Sequence, residues 1–355
     1  MTATPALPAR IGRYEIERLL GQGAMGRVFL GRDPVLDRAV AVKLPRNDPS
    51  LEPDQRRALL ERMRHEARAS ARVSHPNIVA LFDMGEDPTL GLYLVFEYVE
   101  GQTLKERLAE KRLGPIAAAR LSREMGDALS TAHAAGVLHR DIKPENVILA
   151  PTGSKIADFG IARVPDSTLT REGGLLGTPA YSAPEGIVSG TFSPLSDQFS
   201  MAATLYEALS GERAFPGEDT VRVASRITNE QVTPIAFATG LNPRVDEVLG
   251  RAFAKVASER YPSAKEFGDA LAEALENAPR SQLPTLPDEH HIVSANRHKQ
   301  RIVVGSGVIG GAIGIGLFAL GSELAASGAV PVLHPTAAPA ATNSVIVGWL
   351  APPAR

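Results

Sequence analysis

Residues 14–33 read YEIERLLGQGAMGRVFLGRD, with Gly21, Gly23 and Gly26 set between two runs that both read as strand. A glycine loop of this spacing that binds a dinucleotide opens a helix directly after its last glycine. Here Arg27-Val28-Phe29-Leu30 continues as strand and meets another glycine. Strand, loop and strand make a hairpin flap, which excludes the strand-to-helix turn of a NAD-binding oxidoreductase. Such a flap can lay backbone N–H groups over a triphosphate, because glycine permits the close approach. The next strand, AVAVKL (39–44), places Lys43 in an apolar run 17 residues after Gly26. A lysine there either snorkels from an edge or reaches phosphates held beneath the flap. LLERMRHEARASARVS then reads as a helix, with Glu66 on one face with Met63, Ala67 and Ser70. A buried glutamate needs a partner, and Lys43 is the expected one.

A second constellation lies in VLHRDIKPENVILAPTGSKIADFG (137–160), where Asp141, Lys143, Asn146 and Asp158 stand on turns between short apolar runs. Asp and Asn are ordinary turn residues. The same set is also what a phosphate and a hard metal need around them: oxygen ligands and a cation. The residues alone leave both readings open.

GQGAMGRV, AVAVK, HRDIKPEN, DFG, GTPAYSAPE and ERYPSA follow one another in a single order from residue 14 to about 275. In that order the chain resembles a eukaryotic-like (Hanks-type) serine/threonine protein kinase of the bacterial, membrane-anchored sort. The resemblance implies an α+β fold of two lobes, a small β-rich N-lobe and a larger helical C-lobe, over 14–275. It implies ATP as cofactor with magnesium, manganese being the alternative cation, and protein Ser/Thr hydroxyls as substrates. Asp141 would be the catalytic base and Lys143 would neutralise charge on the transferring phosphate. Asn146 and Asp158 would hold the metal. The flap Leu20, Gly21, Gln22, Gly23, Ala24, Met25, Gly26, Arg27 and Val28 would cover the nucleotide, while Lys43, paired with Glu66, would hold its phosphates. Adenine would sit beside Glu97-Tyr98-Val99, under Ala41 and Val28 and in front of Phe96. His139 is expected in the core, Glu185 as the partner of Arg260, and Asp197 on the catalytic-loop backbone. The Lys-Pro-Glu-Asn run resembles the Ser/Thr-specific branch. Three positions depart from the family pattern: Ala202 where glycine is usual, Ser182 where methionine is usual, and Ser70 at a spine position usually apolar or small. None is a phosphate or metal ligand.

Past this region the composition changes. Residues 276–301 are rich in proline and polar side chains and read as a juxtamembrane linker. IVVGSGVIGGAIGIGLFALGS (302–322) then runs 21 residues without a charge and without a polar face, which fits a transmembrane helix. Arg297, Lys299 and Arg301 precede it and Glu323 follows, so the large N-terminal part is placed in the cytoplasm and the Ala/Pro-rich tail 323–355 outside. The N-terminal MTATPALPAR lacks a signal peptide's apolar run. Two overlapping G-x-x-x-G patterns, from Gly307 and from Gly310, suit a homodimer, although glycines this dense also occur without one.

A formal net charge of −2 gives no electrostatic case for nucleic acid as a partner, and the absence of cysteine excludes thiolate chemistry. His290, His291 and His298 lack acidic neighbours at ligand spacing, so no zinc site is expected there. The long segment from Asp158 to Glu185 argues against a small-molecule phosphotransferase. Its threonines Thr168 and Thr170 are candidate autophosphorylation sites, with Arg140 the cation poised to receive the phosphate. The alternative to an active, membrane-anchored kinase is a pseudokinase or scaffold at the membrane, disfavoured by the complete set Lys43, Asp141, Asn146 and Asp158.

Overall fold

The computed structural model describes residues 7–23, 26–46, 51–159 and 179–277. The 302–322 span, the linker beyond 277, the tail, Ala24, Met25, Thr168, Thr170 and Thr178 lie outside them. Among the described residues no helix is long and apolar enough to cross a membrane.

Alternation of side chains builds the N-terminal lobe. Strands β1 (Arg10–Ile11), β2 (Tyr14–Gly23), β3 (Gly26–Asp33), β4 (Arg38–Pro45), β5 (Leu81–Asp87) and β6 (Gly91–Glu97) form one antiparallel sheet in the order β1-β2-β3-β4-β6-β5. In β4 the period of two splits the strand. Val40, Val42 and Leu44 join Ile11, Tyr14, Phe29, Tyr93 and Val95 on one face. Ala41 joins Leu20, Val28, Leu94 and Phe96 on the other. Helix α1 (Pro53–Ser70) runs beside the sheet but buries only Met63 and Ala67.

The C-terminal lobe is helical: α2 (Leu104–Glu110), α3 (Pro115–Ala134), α4 (Pro184–Ser189), α5 (Pro194–Ser210), α6 (Thr220–Asn229), α7 (Ala236–Thr239), α8 (Arg244–Ala252) and α9 (Ala264–Glu276). A three-stranded sheet of β7 (Gln102–Thr103), β8 (Val147–Ala150) and β9 (Gly153–Ile156) lies with them. Helix α5 is buried nearly all round, so it forms the axis of this core. It starts at a Ser193–Ser196 capping box and stops at Gly211, whose φ of 82° an L side chain rarely adopts. Helices α3 and α9 cross with their backbones touching. A Cβ on Gly268 would meet the Ser122 carbonyl at 2.5 Å, and one on Gly126 the Ala264 carbonyl at 2.8 Å. The hydroxyl of Ser122 donates to the Gly268 carbonyl at 2.9 Å across the same crossing.

Glu185 begins α4 and accepts two hydrogen bonds of 2.8 Å from the guanidinium of Arg260. The Arg260 side chain is fully buried and also donates to the Ala254 and Leu195 carbonyls. Burial by itself would raise the Glu185 carboxyl, but the hydrogen bonds and charge of Arg260, a backbone N–H and the Ser196 hydroxyl together outweigh it and hold the group below the ordinary carboxylate range.

Candidate active site

The segment from His139 to Asn146 is fixed from below by Asp197, buried in the first turn of α5. One carboxylate oxygen accepts the backbone N–H of His139 at 2.8 Å and meets Nε2 of His133 at 2.9 Å, and the other accepts the N–H of Arg140 at 2.7 Å. Arg140 sits at a φ of 65°, a left-handed conformation costing a non-glycine residue roughly 1–2 kcal/mol, so the bond to Asp197 secures a strained turn. His139 is wholly buried, and burial pushes its imidazole pKa down. Its Nδ1 accepts from the Asp141 N–H at 3.2 Å, so the proton belongs on Nε2, which donates to the Ala157 carbonyl at 2.8 Å. The ring packs 4.7 Å from Phe159. His139 is thus a neutral core histidine that orients the residue after Arg140.

Asp141, Lys143 and Asn146 converge. The Lys143 ammonium lies 2.7 Å from the Asp141 carboxylate. Burial alone would lower the Lys143 pKa, but Asp141, with Glu145 and Asp158, more than offsets this and holds it above its ordinary value. Nδ2 of Asn146 donates to the Asp141 carbonyl at 2.7 Å and to its carboxylate at 3.2 Å. With Nδ2 committed to two acceptors, Oδ1 of Asn146 is the atom left to offer a cation. Asp158, two residues past the end of β9 and at a φ of 66°, offers a second hard oxygen donor. Amide and carboxylate oxygens that leave the other positions to water and phosphate suit magnesium, which keeps several waters. Among the described residues no group of three or more His, Cys or acidic side chains could hold a metal by itself.

The expected partner of Lys43 is different. Its Nζ donates to Asp158, both side chains being almost fully buried. Glu66 instead ion-pairs with Arg140 at 2.9 Å and lies 3.6 Å from Arg62, one turn back on α1. A cavity of about 310 Å³ opens beside this pair, lined by Arg62, His65, Glu66, Arg140 and Phe159 among others.

Several of the residues that the sequence reading assigned to the nucleotide lie together. Leu20, Val28, Ala41, Phe96 and Val99 form one cluster. Its floor is Ile148 of β8 and Ala157, which the sequence reading missed; the signal was Ile148, two positions past Asn146 on the following strand. Glu97 turns its side chain away, taking Lys155 at 3.0 Å and the Ala80 N–H at 3.3 Å, so only its backbone can serve a purine. In the flap, Gly21 pairs with Val28, Gln22 with Arg27 and Gly23 with Gly26. Gly26 has a φ of 131°, and a Cβ there would stand 2.1 Å from the Leu44 carbonyl. That close approach requires glycine. The turn Pro179–Tyr181 is tied to α5 by the Tyr181 hydroxyl, which donates to Glu207 at 2.6 Å.

A model of the protein kinase domain matches residues 14–281. The chain belongs to the protein kinase family. The serine/threonine-protein kinase PknA of Mycobacterium tuberculosis is 39% identical over 270 residues, covering 74% of this chain and 61% of that protein. PknB of the same organism is 36% identical over 285 residues, covering 78% of this chain and 45% of the relative. A probable PknB of Corynebacterium glutamicum is 38% identical, covering 75% and 43%. The chain therefore spans between about two fifths and three fifths of the length of these relatives. A solved structure of Rad53 residues 1–466 with AMP-PNP superposes with a TM-score of 0.61 at 24% identity, covering 73% of this chain and 65% of that one; it supports the fold alone. The kinase fold accounts for the two lobes, with the site residues at their junction.

Proposed function

We propose that this kinase is an ATP-dependent serine/threonine protein kinase, anchored in the cytoplasmic membrane by residues 302–322 and switched on by phosphorylation of its own activation segment. The observation that carries the reading is the convergence of Asp141, Lys143 and Asn146 in one hydrogen-bonded group, with Lys43 on Asp158. Asn146 and Asp158 would hold magnesium, and bound ATP would supply the γ-phosphoryl group. Asp141 orients the substrate hydroxyl and takes its proton, and Lys143 and Lys43 offset negative charge on the phosphates. The relatives' names, all serine/threonine-protein kinases, agree with this substrate class.

The pairing of Glu66 with Arg140 gives the switch a concrete form. In a kinase the strand lysine must meet the helix glutamate before transfer is efficient. Here Glu66 is held by Arg140, and Lys43 by the metal ligand Asp158. A phosphothreonine carries about −1.5 to −2 charges, against −1 for a carboxylate. Phosphate on Thr168 or Thr170 would displace Glu66 from Arg140, with Arg62 and His65 lining the same cavity. Glu66 is then available to Lys43, and Asp158 to the metal. The double variant Thr168→Ala with Thr170→Ala should lose most transfer activity while binding ATP as before. Peptide mapping that finds both threonines, and neighbouring Ser167, unmodified in fully active enzyme would end this part of the reading.

Anchoring is tested separately. A reporter active only outside the cytoplasm should work when fused after Arg355 and stay silent when fused after Pro279. The opposite pattern, or release of the full-length chain by carbonate, would refute the span.

A further inference from the structure

Three stretches of chain from the two lobes meet beside the nucleotide cluster, and Lys155 joins two of them. Residues 77–80, which precede β5, lie along β9 of the other lobe. The Ile156 N–H donates to the Asn77 carbonyl at 2.8 Å, the Val79 N–H to the Ile156 carbonyl at 2.9 Å, and Nδ2 of Asn77 to the Ser154 carbonyl at 2.7 Å. The third stretch is the end of β6. Its last residue, Glu97, donates its N–H to the Ala80 carbonyl at 2.8 Å. The Glu97 carboxylate accepts the Ala80 N–H at 3.3 Å and the ammonium of Lys155, on β9, at 3.0 and 3.1 Å from its two oxygens. The two side chains are 17% and 28% exposed, too shielded for a loose surface pair.

We propose that Lys155 is a positioning residue for the nucleotide base: by holding the Glu97 carboxylate it fixes the peptide groups of Glu97–Val99 against which adenine lies. The inference rests on the adenine site given above. With the Glu97 side chain committed to Lys155 and Ala80, the base is read there by main-chain groups. Hydrogen bonds weaken steeply as their angle closes, so peptide groups that read a base need a fixed backbone. Residues 98–100 belong to no strand or helix, and no ladder orients them. Val99 is packed with Leu20 and Ala41, which holds one end of the stretch. The Glu97 carboxylate holds the other. Lys155 also lies on the strand that runs through Ala157, in the floor of the cluster, to Asp158. The base end and the metal end of the nucleotide are therefore spaced by four residues of one chain segment.

Calorimetric titration of the full-length protein with ADP and magnesium, and with magnesium tripolyphosphate, which has no base, separates the two ends of the site. Lys155→Met should bind ADP about fivefold more weakly, the upper range for a partly shielded ion pair, with tripolyphosphate affinity unchanged. Its KM for ATP should rise by the same factor at unchanged kcat, as loss of binding common to ground and transition states requires. Lys155→Arg, which keeps the cation, should recover most of the affinity. Glu97→Gln should match Lys155→Met, and the double variant should be no weaker than either single one, because both remove one interaction. Wild-type ADP affinity in Lys155→Met and Glu97→Gln, an equal loss for tripolyphosphate, or faster turnover at unchanged KM would overturn the proposal. A wild type that binds tripolyphosphate but gains nothing from the base would overturn the adenine site itself, and this inference with it.

Discussion

Asp141→Asn should lower phosphate transfer to a protein hydroxyl by about 10²–10⁴-fold, the usual contribution of a positioned general base, with ATP affinity nearly unchanged. The carboxylate is held by Lys143 at 2.7 Å and by Nδ2 of Asn146 at 3.2 Å, and its backbone N–H by Nδ1 of His139. An asparagine fits the same space but cannot take the hydroxyl proton at neutral pH. Because Asp197 and His139 fix the loop independently of this side chain, the variant should remain folded. Transfer of labelled phosphate from ATP to a generic protein substrate measures the first claim, and calorimetric titration with nucleotide the second. Lys43→Met should also nearly abolish transfer, but with weaker nucleotide binding. Asp141→Asn at near wild-type activity would sink the assignment of Asp141 as the base.

The largest effect on stability should come from Glu185→Ala. Arg260 is fully buried, and removing its carboxylate leaves an uncompensated charge in the core; such losses cost about 3–5 kcal/mol. Against a total stability of about 5–15 kcal/mol, the C-lobe should unfold at a markedly lower denaturant midpoint. Glu185→Gln, which keeps one acceptor oxygen for Arg260 and Ser196, should lose less. The sign with pH follows from the depressed carboxyl. Its contribution is fully present above the unfolded carboxyl's pKa of about 4.3 and is lost as pH falls through the lower folded value. Acid should therefore destabilise the wild type more steeply than Glu185→Gln in that range. Equal midpoints for wild type and Glu185→Ala would show that the pair carries no stability.

Much of this site was legible because its chemistry is local. The spacing of Asp141, Lys143 and Asn146 within six residues fixes their convergence once the turn forms, and the alternation in AVAVKL places Ala41 and Lys43 on one face of β4. The partner of Glu66 was not legible. Helical spacing turns Glu66 inward, but the cation it meets depends on where the whole helix lies. Helix α1 buries only two side chains, so ion pairs, not packing, decide between Lys43 and Arg140. Nor could alternation show that Ile148 and Ala157 complete the floor beneath Ala41, because that contact joins strands from different lobes.

The crossing of α3 and α9 has a mechanical side. At Gly126 and Gly268 the two helices touch backbone to backbone, with no side chain between them at that point, and Arg123 of α3 holds Glu276 at the end of α9. Helix α3 ends at the residues that carry His133 to Asp197, and α9 ends at Glu276, where the chain leaves the described body. The end of α9 is thus tied to the same helix whose His133 meets Asp197 under the catalytic loop. The last described turn of the chain and the histidine beneath the catalytic loop are therefore joined through one helix crossing, with no surface loop between them.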